Sequence, residues 1–140
     1  MFFLETEQSF DSAHFLKDYD GKCHNIHGHR WRVIARASAE HLSTNRQTRG
    51  MVMDFGDLKK SLKELADYFD HALIIEAGSL KSKTLEALEE ESFRIVEVAF
   101  RPTAELFARY FYEQLRERSI PVCSVSVYET PSNCATYQEV

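Results

Sequence analysis

The sequence is short of the residues that break chains or staple them. Three prolines and five glycines in 140 residues leave no low-complexity tract, no Pro/Gly/Ser-rich linker and no collagen-like repeat. The three cysteines, Cys23, Cys123 and Cys134, are an odd number, which argues against a disulfide framework. No apolar run approaches the roughly 20 residues that a membrane-spanning helix needs. The first residues, Met1-Phe2-Phe3-Leu4-Glu5-Thr6-Glu7, lack the basic stretch of a secretory leader. Positive charge is not in excess either. Seventeen Lys+Arg against 22 Asp+Glu give a net charge of −5, which disfavours coating nucleic acid or an anionic membrane. With 44% hydrophobic and 28% charged residues, the expectation is one cytoplasmic domain spanning residues 1–140.

Residues 3–14 have mixed strand character, with Leu4, Thr6, Phe10, Ser12 and His14 on one face and Gln8 interrupting it. A turn-rich loop follows over 18–25. The clearest strand is 27–38. Its odd positions, His27, His29, Trp31, Val33, Ala35 and Ala37, form an apolar face led by two imidazoles, and Arg30, Arg32 and Arg36 lie opposite. Asp54 reads as the cap of a helix whose stripe is Phe55, Leu58, Leu62, Leu65, Ala66 and Phe69. Residues 70–92 are left unplaced except for a short acidic helix over 84–91, with a short strand at Ile95, Val96 and Val98. Pro102 and Thr103 introduce a second amphipathic helix carrying Leu106, Phe107, Tyr110, Phe111 and Leu115. Pro121 ends it. Strands over 122–130 (odd face Cys123, Val125, Val127, Glu129) and 134–137 close the chain. This order gives an α+β fold: a four-stranded antiparallel sheet with two helices on one face.

Chemistry concentrates in a few places. Two of the six histidines, His27 and His29, project to the same side of a strand about 7 Å apart, close enough to share one ion. His14, at the end of the preceding strand, is the natural third ligand. Three neutral imidazoles leave a fourth position open for water or substrate, as catalytic zinc sites do. The plainer reading is a chance His-x-His pair beside a core histidine. Cys23 in its loop is either structural or, near a dication, a usable thiolate. Cys123 and Cys134 take the core reading. Asp70-His71 is either a carboxylate–imidazole pair or a helix-terminal Asp beside a surface His. Glu129 ends an apolar strand face, where a buried partner such as Arg101 or a ligand with paired N–H donors would satisfy it.

Six segments in register then carry a resemblance: Ser12-Ala13-His14, Cys23-x3-His27-Gly28-His29, Met53-Asp54-Phe55, Asp70-His71, Pro102-Thr103-x-Glu105 and Glu129-Thr130. From Phe10 to about Tyr137 the sequence resembles the 6-pyruvoyltetrahydropterin synthase / 6-carboxytetrahydropterin synthase family. The resemblance implies a tunnelling fold assembled as a homohexamer of two trimers with active sites between subunits. It implies Zn2+ on His14, His27 and His29, and proton transfers by Cys23 with Asp70 and His71 of a neighbouring subunit. Glu129 would anchor the 2-amino-pyrimidinone edge of a pterin, with Thr103 and Glu105 nearby. The three residues between Cys23 and His27 resemble the members that make 6-carboxy-5,6,7,8-tetrahydropterin from 7,8-dihydroneopterin triphosphate in queuosine (7-deazaguanine) biosynthesis, releasing acetaldehyde and triphosphate. A pyruvoyl-forming relative and a catalytically silent pterin- or metal-binding oligomer are the alternatives. Leu106 departs from the family's usual Asn, and the interval between His71 and Pro102 is longer than in short members. Lys17 and Lys22 are the candidates for the triphosphate.

Overall fold

A computed structural model describes residues 1–140. The fold is organised by two long strands, β1 (Phe2–His14) and β2 (His27–Ala39), which pair antiparallel from Phe2↔Ala39 to His14↔His27. One face of this hairpin turns inward with Phe10, Trp31, Val33, Ala35 and Ala37. The other carries cross-strand ion pairs, Arg36–Glu5 at 3.5 Å, Arg32–Glu7 at 3.0 Å and Arg30–Asp11 at 3.5 Å. Exposed pairs of this kind add little stability, but they neutralise the arginines and leave no basic stripe.

Helix α1 (Phe55–Phe69) starts where the Asp54 carboxylate accepts from Gly56 N at 2.6 Å. It buries Leu58, Leu62, Leu65, Ala66 and Phe69 against the sheet; Phe55 of the expected stripe stays 52% exposed at the helix start. Beyond it come β3 (Ala72–Glu76), α2 (Ser82–Glu90) and β4 (Ile95–Val98). Helix α3 (Ala104–Glu117) begins at Thr103, whose Oγ1 accepts from Leu106 N at 3.3 Å. Its core side is Phe107, Ala108, Phe111, Tyr112 and Leu115, so the buried face is rotated from the expected one and Leu106 and Tyr110 sit at its margin. Strands β5 (Val122–Thr130) and β6 (Asn133–Tyr137) finish the sheet.

The sheet has six strands in the order β4-β3-β1-β2-β5-β6, not the expected four, and it is mixed. Strand β3 runs parallel to β1 (Ser12↔Ala72), and β4 parallel to β3 (Leu73↔Ile95). Strand β3 was concealed because a buried parallel strand reads as a short apolar run, here Ala72-Leu73-Ile74-Ile75, without the alternation that marks a half-wet strand, whereas the expected short strand at Ile95, Val96 and Val98 is β4, joined to the sheet through β3. Two helices, α1 and α3, cover one face as expected, while α2 buries no residue. Their shared core is aromatic: Phe10 is stacked on Trp31 at 6.0 Å and meets Phe69, Phe107 and Phe111.

Two cysteines depart from the core reading. A bulge opposite Arg36/Ala37 skips Cys123, so Val122 enters the core and Cys123 is only half-buried. Cys134 is exposed on the edge strand β6. A methyl at Gly28, between His27 and His29, would meet only the Ser12 carbonyl at 3.5 Å, an ordinary contact, so nothing within the chain demands glycine there.

Candidate metal centre

The register of the β1–β2 hairpin sets the site. His14 faces His27 directly, and His29 pairs with Ser12 one step inward on the same side. The three rings close on one another with centroids 4.6 Å (His14–His27), 5.1 Å (His14–His29) and 4.9 Å (His27–His29) apart. Glu129, near the end of β5, joins them. One ligand atom from each of the four side chains lies within 4.8 Å of all the others.

The orientation of two rings is fixed from behind. His14 Nδ1 lies 2.8 Å from the Pro102 carbonyl, and His27 Nδ1 lies 2.6 Å from the Asn25 carbonyl. A carbonyl oxygen only accepts, so Nδ1 carries the proton in both rings and each Nε2 presents a lone pair. The Nε2 atoms of His14, His27 and His29 are all buried and have no hydrogen-bond partner. Three bare, buried nitrogens aimed at one point are costly unless something electropositive sits among them. That donor set fits a divalent ion with imidazole preference, and backbone carbonyls behind metal-binding histidines are the usual way their tautomer is held.

Electrostatics agree with the geometry. Trp31, fully buried, stands edge-on to His14 at 5.0 Å and to His29 at 5.4 Å and makes the floor of the site apolar. Burial lowers the His29 pKa below the ordinary value; Glu129 opposes this, and His14 and His27 reinforce it. The Glu129 carboxylate lies 3.4 Å from Nε2 of both His14 and His29. The Arg101 pairing considered for Glu129 does not form: Arg101 donates to the Lys17 carbonyl at 2.9 Å.

The other expected residues lie apart from this cluster. Cys23 is half-buried in a single 3-10 turn (Lys22–His24) between β1 and β2, and its carbonyl accepts from Leu16 N at 2.9 Å. Asp70 and His71 do contact one another: His71 Nδ1 lies 2.9 Å from Asp70 Oδ2. Adjacent residues reach this geometry because His71 takes a left-handed backbone, φ 56°, which folds its ring back over Asp70. The other carboxylate oxygen accepts from Asp11 N at 2.9 Å, and the Asp11 carbonyl accepts from His71 N at 2.6 Å. That Asp11 bond first, and His71 second, hold the Asp70 carboxyl below the usual range. His71 itself is 78% exposed and is not among the converging ligand atoms. Thr103 is occupied as a helix cap, and Glu105 is exposed in the first turn of α3. Sequence reasoning missed Pro102, Asn25 and Asp11 as site-building residues. All three act through backbone atoms, which side-chain patterns do not advertise.

The profile of the 6-pyruvoyl tetrahydropterin synthase family matches residues 3–140. The chain belongs to that family. Among its relatives, the 6-carboxy-5,6,7,8-tetrahydropterin synthase of Haemophilus influenzae is 35% identical over 142 residues, covering 99% of this chain and all of the relative. The enzyme of the same name from Synechocystis is 32% identical, covering 98% and 93% of the two chains. Solved structures agree on the family's architecture. An uncharacterised Wolinella succinogenes protein superposes with a TM-score of 0.80 at 22% identity, covering 99% of this chain and 98% of that one. The Caenorhabditis elegans 6-pyruvoyl tetrahydropterin synthase superposes with a TM-score of 0.66 at 25% identity, covering 99% and 96%. The α+β sheet with helices on one face is therefore the tunnelling fold of this family.

Proposed function

We propose that the protein is a zinc-dependent lyase that converts 7,8-dihydroneopterin triphosphate to 6-carboxy-5,6,7,8-tetrahydropterin, with release of acetaldehyde and triphosphate, and serves queuosine biosynthesis. The observation that carries this reading is the convergence of three unpartnered Nε2 atoms, in a chain whose relatives bear the name of that synthase. His14, His27 and His29 hold the ion, which when bound supplies Lewis-acid stabilisation of charge on the substrate's side-chain oxygens.

The chain's own residues do the rest. Cys23 removes and returns protons, placed in the loop that connects His14 to His27. Asp70 holds the proton of His71 on Nδ1, so Nε2 is the face of that ring able to accept one. In a single chain this pair lies outside the histidine cluster, which supports the reading that it serves a neighbouring copy within a homohexamer. Glu129 reaches the rim of the metal site, where its two oxygens match the paired donors of a pterin's 2-amino-pyrimidinone edge. Lys17 and Lys22, both exposed near Cys23, remain the candidates for the triphosphate.

Purified protein incubated with the pterin triphosphate should yield 6-carboxytetrahydropterin and acetaldehyde, identified by mass spectrometry. A pyruvoyl product would assign the alternative activity, and no conversion with intact metal would leave a silent binding protein. Cys23→Ala should keep its zinc and lose turnover, whereas His27→Ala should lose zinc. Glu129→Gln should raise KM with zinc retained; loss of zinc instead would make Glu129 a ligand.

A further inference from the structure

The excursion between β3 and β4 buries nothing through α2, yet it returns the chain to the end of α1. There Arg94, the residue before β4, donates from one guanidinium nitrogen to the Asp70 carbonyl at 3.0 Å and from the other to the Tyr68 carbonyl. These carbonyls belong to the C-terminus of α1, where the helix leaves acceptors unpaired and the dipole favours a cation. The clamp is held in register from its own backbone, since the Arg94 carbonyl accepts from Leu73 N at 3.0 Å beside the Leu73↔Ile95 pairing. It grips the backbone of Asp70 while the Asp70 side chain holds Asp11 and His71.

We propose that Arg94 is a positioning residue for the Asp70–His71 pair: by forking onto the carbonyls of Tyr68 and Asp70 it fixes the turn from which the carboxylate reaches His71, and so keeps the proton on Nδ1 and Nε2 free. The crossover between β3 and β4 is thereby a delivery arm for one guanidinium. The planar fork is the essential property, because two divergent carbonyls need two donors in fixed relation. The proposal rests on the reading of Asp70 and His71 as the proton-transfer pair.

The test compares wild type, Arg94→Ala and Arg94→Lys as full-length, zinc-loaded protein. Nitrogen-15 NMR of His71 should show Nδ1 protonated in the wild type and a shift toward the Nε2-protonated tautomer in Arg94→Ala. Turnover of the pterin triphosphate should fall about tenfold or more in kcat with KM little changed. Guanidinium added to Arg94→Ala should restore part of kcat, and Arg94→Lys, which keeps charge without the fork, should fall between. Zinc content should equal wild type throughout. A wild-type tautomer in Arg94→Ala, or a loss of turnover that guanidinium does not restore, would overturn the proposal. If wild-type protein shows no turnover at all, the functional reading fails, and the tautomer measurement still decides the role of Arg94.

Discussion

A histidine ligand is useful only if its ring faces the right way with the right nitrogen bare. Here that choice is made by two carbonyl oxygens, those of Pro102 and Asn25, and not by any neighbouring side chain. His29, the third ring of the cluster, is prepared differently. Burial lowers its pKa, so the neutral form persists below the ordinary value of about 6.5 and protons begin to compete with a metal only at lower pH. Bound zinc should therefore be retained as pH falls through 6.5, with release at more acidic pH, as followed by dialysis and elemental analysis. Release beginning above 7 would contradict this. At the same scale, the clustered histidines and Glu129 were legible because they interrupt an otherwise apolar alternation. The contact between Asp70 and His71 was not, because it depends on a left-handed residue that no side-chain pattern announces.

Helix α3 joins stability to the site. Thr103 caps it, and the carbonyl of the residue before, Pro102, positions His14. The sequence placed Thr103 correctly at a helix start, and family resemblance placed it near a pterin. The cap bond gives it a structural duty that accounts for it without any ligand. Thr103→Ala should cost about 1 kcal/mol in denaturant unfolding. It should also weaken zinc binding measurably by loosening Pro102, while Thr103→Ser retains both. If Thr103→Ala leaves zinc affinity unchanged and raises KM alone, the residue belongs to the substrate instead. The elements themselves were read well where one face is wet, as in β1, β2 and α1. They were read poorly where both faces are covered, as in β3, and where a bulge slips the alternation, as at Cys123.

On the scale of the whole molecule, the three imidazoles converge at one end of the hairpin, with Cys23 in the connection between its strands, while the exposed His71 is held against Asp11 outside that cluster. If neighbouring copies complete each other, Cys23→Ala and His71→Ala should each be inactive alone. Denatured together and refolded, they should regain activity in about a quarter of sites through mixed assemblies. No recovery on mixing, with mixed oligomers shown by mass spectrometry, would place both groups in one subunit's site. The composition agreed with the fold at this scale, since the arginines of β2 are neutralised across the hairpin by Glu5, Glu7 and Asp11. An assembly has no signature in a single sequence, because edge strands look alike whether or not a partner covers them.

The chain contains a single tryptophan, and it is the one that forms the floor beneath His14 and His29. Its indole is thus an intrinsic optical gauge of occupancy: emission excited at the red edge, beyond the absorption of the six tyrosines, comes from the one ring that stands against His14 and His29, so loading and stripping of an ion at these histidines can be timed in a stopped-flow cell on the unmodified protein.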